Sequence, residues 1–213
     1  MENTPMYSKQ EEIANAVIHG IGTLLSIAAL SVLVAFASVH GSAWHITSFA
    51  IFGGTMILLY ACSTIVHSIP AGRAKDVFEI LDHSAIYIFI AGTYTPFLLI
   101  SLKGAFGWSL FGVIWSLAIA GTIFKIHFVK RFMHLSTLLY LAMGWLILLA
   151  WGPLVANVPE HGLTFLVIGG VLYSVGAIFF VWRGFRYHHA IWHLFVLAGS
   201  VMHFFAVLTL LNS

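Results

Sequence analysis

The sequence predicts an all-α integral membrane protein, a seven-transmembrane helix bundle. Three observations predict it: the composition, the apolar stretches and the placement of the basic residues. Of the 213 residues, 61% are hydrophobic and 8% are charged, whereas roughly a quarter of the residues in a soluble domain carry charge. The mean hydropathy is +1.00. A chain of this composition is expected within a lipid bilayer.

Seven apolar stretches are each long enough to cross a bilayer, at about 20 residues per helix. They leave no room for a separate soluble domain, so we expect a single domain over residues 1–213. The stretches are uniformly apolar, whereas the strands of a membrane barrel alternate in character. Turn-forming residues lie between them, among them Gly41, Pro70, Gly104 and the segment from Pro153 to Pro159. The predicted spans are 15–38, 44–66, 84–102, 108–124, 134–151, 163–182 and 190–211.

The basic residues near the span ends predict the orientation, because such residues are retained in the cytoplasm. Only Lys103 lies on one side of the predicted bundle. The other eight lie on the opposite side: Lys9, Arg73, Lys75, Lys125, Lys130, Arg131, Arg183 and Arg186. We therefore expect a cytoplasmic amino terminus and a carboxyl terminus outside.

Two features exclude other classes of protein. The net charge of +2 is too small to indicate a polyanionic partner, so we expect no nucleic acid. A single cysteine, Cys62, rules out an intramolecular disulfide framework and is expected to be a small buried apolar residue.

Polar residues cluster at one predicted depth, where ionisable groups indicate a functional site. His67 closes the second span, Asp82 opens the third, and His189 and His193 open the seventh, all on the cytoplasmic side. Ser63 lies four residues before His67, and this spacing places both on one helix face. His189 and His193 have the same spacing.

These residues match the needs of a catalytic metal site. Three neutral imidazoles and a water are a usual zinc environment, although the same ligands also suit iron(II) or manganese. A bound divalent ion lowers the pKa of its water to about 7. Asp82 would accept or orient the proton of that water, and Ser63 would donate a hydrogen bond to the water or to an oxyanion. The set therefore indicates hydrolysis, while the alternative is a group of interfacial histidines that bind no metal.

Glu12, Asn15 and His19 share one face at the start of the first span. Their spacing alone favours a solvated helix start, in which acidic residues suit the positive end of the helix dipole. The functional alternative is that they brace the metal-binding histidines and keep their imidazoles in the required tautomer. His203 lies about 15 Å beyond His193 along the helix, so we expect it to make an interhelical hydrogen bond instead of binding the same metal.

Two kinds of helix feature predict packing and bending. Paired glycines, Gly53 with Gly54 and Gly169 with Gly170, indicate close helix contacts. The polar interruption from Thr93 to Pro96 in the third span predicts a kink, or alternatively the lining of a substrate or ion path.

The ordered motifs resemble the progestin and adipoQ receptor family, and most closely its bacterial haemolysin III branch. They are Glu12-x-x-Asn15-x-x-x-His19, Ser63-x-x-x-His67, Leu81-Asp82, Ala91 to Phe97, His189-x-x-x-His193 and then His203. The resemblance implies a zinc ion near the cytoplasmic leaflet, with His67, His189 and His193 as ligands and with Asp82 and Ser63 around its water.

The resemblance also implies a function. Family members with this site resemble alkaline ceramidases, which implies hydrolysis of a lipid amide or ester bond and membrane lipids as partners. The bacterial branch implies a plasma-membrane location, with haemolysis or membrane-fluidity homeostasis as its role. The long cytoplasmic leader of the eukaryotic receptors is not seen, so no soluble hormone is expected. Two other classes stay open: a non-enzymatic lipid sensor with a structural metal, and a pore.

Overall fold

The computed structural model describes residues 7–212, and seven helical spans in it are long and apolar enough to cross a membrane. The predicted seven-helix fold is therefore confirmed, while the orientation in the membrane stays a prediction. The helices are α1 Lys9–His40, α2 Ala43–Ser68, α3 Arg73–Pro96, α4 Ala105–Phe128, α5 Met133–Trp145, α6 Trp151–Asn157, α7 Glu160–Val181 and α8 His188–Leu208. A π-helical turn, Phe97–Ser101, extends α3, and 3-10 turns follow α5 at Leu146–Ala150 and α8 at Thr209–Asn212.

The first helix begins with a capping box. The Ser8 backbone N–H donates to Glu11 Oε2 at 3.0 Å, and the Glu11 N–H donates to Ser8 Oγ at 3.4 Å. This arrangement satisfies backbone donors that would otherwise be unpaired at a helix start. It also fixes the direction in which the chain enters α1.

The third span begins at Arg73, well before the predicted residue 84, so the expectation that Asp82 opens this span was wrong. The extra turns are charged, which made them look like a loop in the sequence. Ion pairs link these turns to neighbouring segments: Lys75 Nζ donates to Glu12 Oε1 at 2.7 Å, and Lys130 Nζ donates to Asp76 Oδ1 at 2.7 Å.

The fifth span also differs from its prediction. Residues 153–157, expected in a turn, continue the helical path as α6, which ends at Asn157. Pro153 is tolerated because it lies in the first turn of α6, where its missing N–H has no helical partner to lose. The turn before α7 is reduced to Val158 and Pro159.

The distortion predicted at Thr93 to Pro96 lies just beyond the proline. The helix stays α-helical to Pro96 and then widens, with the Leu102 N–H donating to the Phe97 carbonyl at 3.0 Å. Thr93 and Thr95 donate to carbonyls of their own helix.

The third span is the centre of the bundle: 83% of its most apolar stretch is buried, against 22% for the first span. Small residues let neighbouring helices approach it and one another. Gly53 lies against Leu30 and Gly169 against His203, as predicted, whereas Gly54 makes no close contact, because a Cβ there would have no neighbour within 4 Å. Cys62 is buried, as expected.

Basic residues of several helices share one end of the bundle, which we call the basic end. Lys75 and Lys130 are paired there as described, and Arg186 lies near Gln10. Lys125, which was counted among the basic residues near the span ends, lies within α4, is 1% exposed, and places its ammonium 5.8 Å from the centre of the Tyr140 ring.

Candidate metal site

Three histidines from two helices converge at the basic end. His67 lies in the last turn of α2, whereas His189 and His193 lie one turn apart at the start of α8. One ring nitrogen from each lies within 4.8 Å of the others, and Nε2 of His67 is 3.3 Å from Nε2 of His193. All three side chains are buried. We call these residues the histidine cluster.

The orientation of His67 is set by a carboxylate. Its Nδ1–H donates to Glu12 Oε2 at 2.5 Å, and the other oxygen of Glu12 accepts from Lys75. A proton held on Nδ1 by this bond leaves Nε2 with a free lone pair, directed at the rest of the cluster. Carboxylates behind metal-binding histidines have this role in proteins.

The orientation of His189 is set by Tyr7, a residue that the sequence analysis missed. The Tyr7 hydroxyl is hydrogen-bonded to His189 Nδ1 at 3.1 Å, and the two rings are 4.8 Å apart. Burial raises the pKa of the Tyr7 phenol, so the group is a neutral hydroxyl at neutral pH. Nothing in the sequence marks this tyrosine among seven.

Asn15 and His19 lie beside the cluster on α1. They are 0% and 1% exposed, so the interpretation as a solvated helix start does not hold for them. The ring centres of His19 and His193 are 3.6 Å apart. Both nitrogens of His19 and both amide atoms of Asn15 are buried without a hydrogen-bond partner.

Asp82 and Ser63 lie close to each other and to His67. Both are buried, at 8% and 1% exposure, and the Ser63 hydroxyl is directed towards the Asp82 carboxylate. Asp82 is not a member of the histidine cluster, and its place beside a metal-bound water stays a prediction.

An apolar cavity of about 160 Å³ adjoins the site. Asp82 and His19 line it, as does His203 from farther along α8, and the remaining walls are largely aromatic and aliphatic, for example Phe89 and Trp192. The predicted interhelical hydrogen bond of His203 is confirmed, because its Nε2–H donates to the Leu166 carbonyl of α7 at 3.2 Å.

The residues present fit a divalent metal ion. Three neutral imidazoles form the donor set, and partners outside the cluster already occupy Nδ1 of His67 and of His189. Buried atoms without a hydrogen-bond partner lie beside it, among them both ring nitrogens of His19 and Nδ1 of His193, and such atoms in a protein interior require an explanation. The donor set suits zinc and also fits iron(II) or manganese.

Comparison with known proteins decides the family. A family model described as haemolysin-III related matches residues 7–204. The chain belongs to the haemolysin III family. This confirms the resemblance drawn from the motifs, which also included the wider progestin and adipoQ receptor family.

Relatives of this haemolysin III chain come from bacteria and animals. "Hemolysin-3 homolog" of Bacillus subtilis is 58% identical over 203 residues, 95% of each chain. "Hemolysin-3" of Bacillus cereus is 58% identical over 199 residues, 93% of this chain and 91% of that protein. "Monocyte to macrophage differentiation factor" of Homo sapiens is 29% identical over 170 residues, 77% of this chain and 70% of that protein. No solved structure is significantly similar to the chain.

Proposed function

We propose that this haemolysin III protein is a membrane-embedded, metal-dependent hydrolase that cleaves an amide or ester bond of a membrane lipid. One observation carries the proposal: a cluster of three histidines, with nitrogens within 4.8 Å of one another, lies beside Asp82 and an apolar cavity. Metal ligands, a carboxylate and an apolar chamber are the parts that such a reaction requires.

The ligands would be His67, His189 and His193, and the metal would be zinc. A divalent cation bound there supplies Lewis acidity and lowers the pKa of water. Asp82 would take a proton from the attacking water and return it to the departing amine or alcohol. The Ser63 hydroxyl would donate to the carbonyl oxygen as that oxygen gains negative charge.

The cavity indicates the class of substrate. Its walls are mostly apolar side chains, and its polar end holds Asp82 and His19. A lipid chain suits the walls, and a carbonyl group suits the polar end. Cleavage of a bilayer lipid would change membrane composition, which links the activity to lipid homeostasis.

The proposed setting is the plasma membrane of a bacterium, with the basic end in the cytoplasm. Eight of the nine Lys and Arg residues are predicted on that side, and basic residues next to spans are retained inside. The candidate site in the single domain of residues 1–213 would then lie at the cytoplasmic leaflet.

The test is lipid analysis of bacterial membranes that contain the intact protein, His193→Ala or His127→Ala. His127 is an exposed histidine at the end of α4, so its variant is the matched control. We expect the amount of one lipid to be lower, and the amounts of its cleavage products to be higher, in membranes with the intact protein or His127→Ala than in membranes with His193→Ala. An unchanged lipid profile in all three membranes would reject hydrolysis.

A lytic function is the second candidate, because two relatives at 58% identity carry the name "Hemolysin-3". Lysis through a pore needs a continuous polar path, whereas the cavity beside the histidine cluster is lined mostly by apolar side chains. Leakage from liposomes that persists after the metal is stripped would favour this candidate.

A further inference from the structure

We propose that Tyr7 is a positioning residue for the metal site, which orients His189 through its hydroxyl and covers the histidine cluster with its ring. The inference rests on the proposed metal site and adds to it a residue from outside the seven spans. The contacts of Tyr7 and the anchors that hold its segment in place carry the argument.

The hydroxyl of Tyr7 determines which nitrogen of His189 faces the cluster. The contact between Tyr7 and His189 Nδ1 spans 3.1 Å and joins residues 182 positions apart in the chain. With Nε2 bound to a metal, Nδ1 carries the proton and donates it to the Tyr7 oxygen. Tyr7 therefore supports His189 as Glu12 supports His67, because each is hydrogen-bonded to Nδ1 of its histidine.

The ring of Tyr7 covers the outer side of the cluster. Its centre lies 4.8 Å from that of His189, 5.9 Å from that of His188 and 6.3 Å from that of His67. Tyr7 is itself partly buried. An aromatic ring in this position limits the access of water and of chelators from the basic end.

Hydrogen bonds anchor the segment that carries Tyr7. The backbone N–H of Tyr187 donates to Glu11 Oε1 at 3.0 Å, and Arg186 Nη2 donates to Gln10 Oε1 at 3.5 Å. The start of α1 is thereby tied to the turn that precedes α8. Ser8 caps α1, as described, and Tyr7, the residue before it, lies over His189.

Two substitutions separate the two roles. Tyr7→Phe removes the hydroxyl and keeps the ring, so it tests orientation alone. Tyr7→Ala removes both. Tyr187→Phe is the matched control, because Tyr187 lies at the same end and its side-chain contact in the structure is with the Arg186 guanidinium over its ring.

The experiment uses the purified full chain in detergent. Zn²⁺ affinity is measured by competition with a chromophoric chelator, metal release is followed after excess chelator is added, and Co²⁺ replaces zinc for absorption spectra. We expect Tyr7→Phe to weaken zinc binding about 10- to 100-fold, the usual effect of losing a group that supports a ligand, and to shift the cobalt spectrum. Tyr7→Ala should in addition release zinc faster than Tyr7→Phe.

Controls separate positioning from general damage. Tyr187→Phe should match the wild type in every measurement, and the metal-free forms should unfold at the same temperature. Wild-type affinity and an unchanged cobalt spectrum in Tyr7→Phe would overturn the positioning role and leave the metal site intact. An equal loss in Tyr187→Phe would also overturn it. A wild-type protein that binds neither zinc nor another transition metal in stoichiometric amount would overturn the metal-dependent function, and this proposal with it.

Discussion

The three histidines of the cluster differ in the partner of the ring nitrogen that faces away from the other two. A carboxylate holds His67, and a phenol holds His189. His193 Nδ1 has no hydrogen-bond partner within the described residues; its ring is packed between those of His19 and Trp192, whose centres are 3.6 Å and 4.7 Å away. The three ligands should therefore respond unequally to changes around them.

Glu12→Gln tests the carboxylate behind His67. The amide keeps the shape of the side chain but loses the negative charge that strengthens the hydrogen bond from His67 and pairs with Lys75. We expect zinc affinity to fall about 10-fold or more, as measured by chelator competition. Glu160→Gln, at the opposite end of the bundle, is the control and should have no effect; equal affinities in wild type and Glu12→Gln would contradict the assignment.

Asp82→Asn separates catalysis from a structural use of the metal. Because Asp82 lies outside the histidine cluster, the variant should keep its zinc. Because asparagine does not accept the proton of the attacking water, we expect lipid cleavage to be abolished in the membrane assay. Asp76→Asn, which changes an ion pair with Lys130, should cleave normally. Full biological activity in Asp82→Asn would instead favour a non-enzymatic sensor.

Sequence spacing predicted the residues that repeat along one helix. The four-residue spacing predicted that Ser63 and His67 share a helix face, and likewise His189 and His193, because a helix brings such positions to one side. Tyr7 has no such partner in the sequence. It meets His189 only when the start of the first span folds against the turn before the last one.

Close helix contacts at glycines hold the first span against the second. A side chain at Gly22 would place its Cβ 2.5 Å from the ring of Tyr60. That ring has no room to move, because Tyr60 is 0% exposed and its hydroxyl donates to Ser200 Oγ at 2.7 Å. The contact places the buried face of α1, with Asn15 and His19, beside α2 and α8.

Gly22→Ala should therefore destabilise the bundle. Overpacking of a close contact costs about 1–3 kcal/mol, and we expect a lower unfolding temperature for the purified protein in detergent. Gly54→Ala is the control, because a Cβ there has no neighbour within 4 Å, and alanine has the higher helix propensity. A Gly22→Ala protein as stable as Gly54→Ala would show that the contact is not tight.

The existence of the spans was predictable at the scale of elements, but several of their boundaries were not. Hydropathy finds the part of a helix that lies in lipid, so it missed the charged turns at the start of α1, from Lys9 onward, and at the start of α3, from Arg73 onward. Conversely, Pro153 resembles a turn residue in sequence, although the first turn of a helix accommodates it. The errors at the starts of α1 and α3 arise because charged helical turns resemble a loop in composition, and the error at Pro153 arises because proline is typical both of turns and of helix starts.

The whole molecule is polarised, with its basic residues and its candidate site at one end. Lys103 is the one Lys or Arg that the sequence predicts at the opposite end. Hydropathy and charge were sufficient to predict the span number and an orientation. The depth of Lys125 was not predictable, because its burial depends on the helices around α4 and not on its own neighbours in sequence.

Cysteine labelling tests the orientation. In a Cys62→Ser background, which removes the single native cysteine, Lys103→Cys should react with a membrane-impermeant maleimide on intact cells. Lys130→Cys should react only after permeabilisation, because basic residues next to spans are retained inside. Both positions are exposed. The reverse pattern would place the candidate site at the outer leaflet.

The most direct test of the account is the metal content of the purified protein, measured by elemental mass spectrometry. The account predicts about one zinc ion per chain, as in a mononuclear three-histidine site. His67→Ala and His193→Ala should lose it, while His127→Ala keeps it. A wild-type protein without stoichiometric transition metal, or a His193→Ala protein that retains it, would contradict the account.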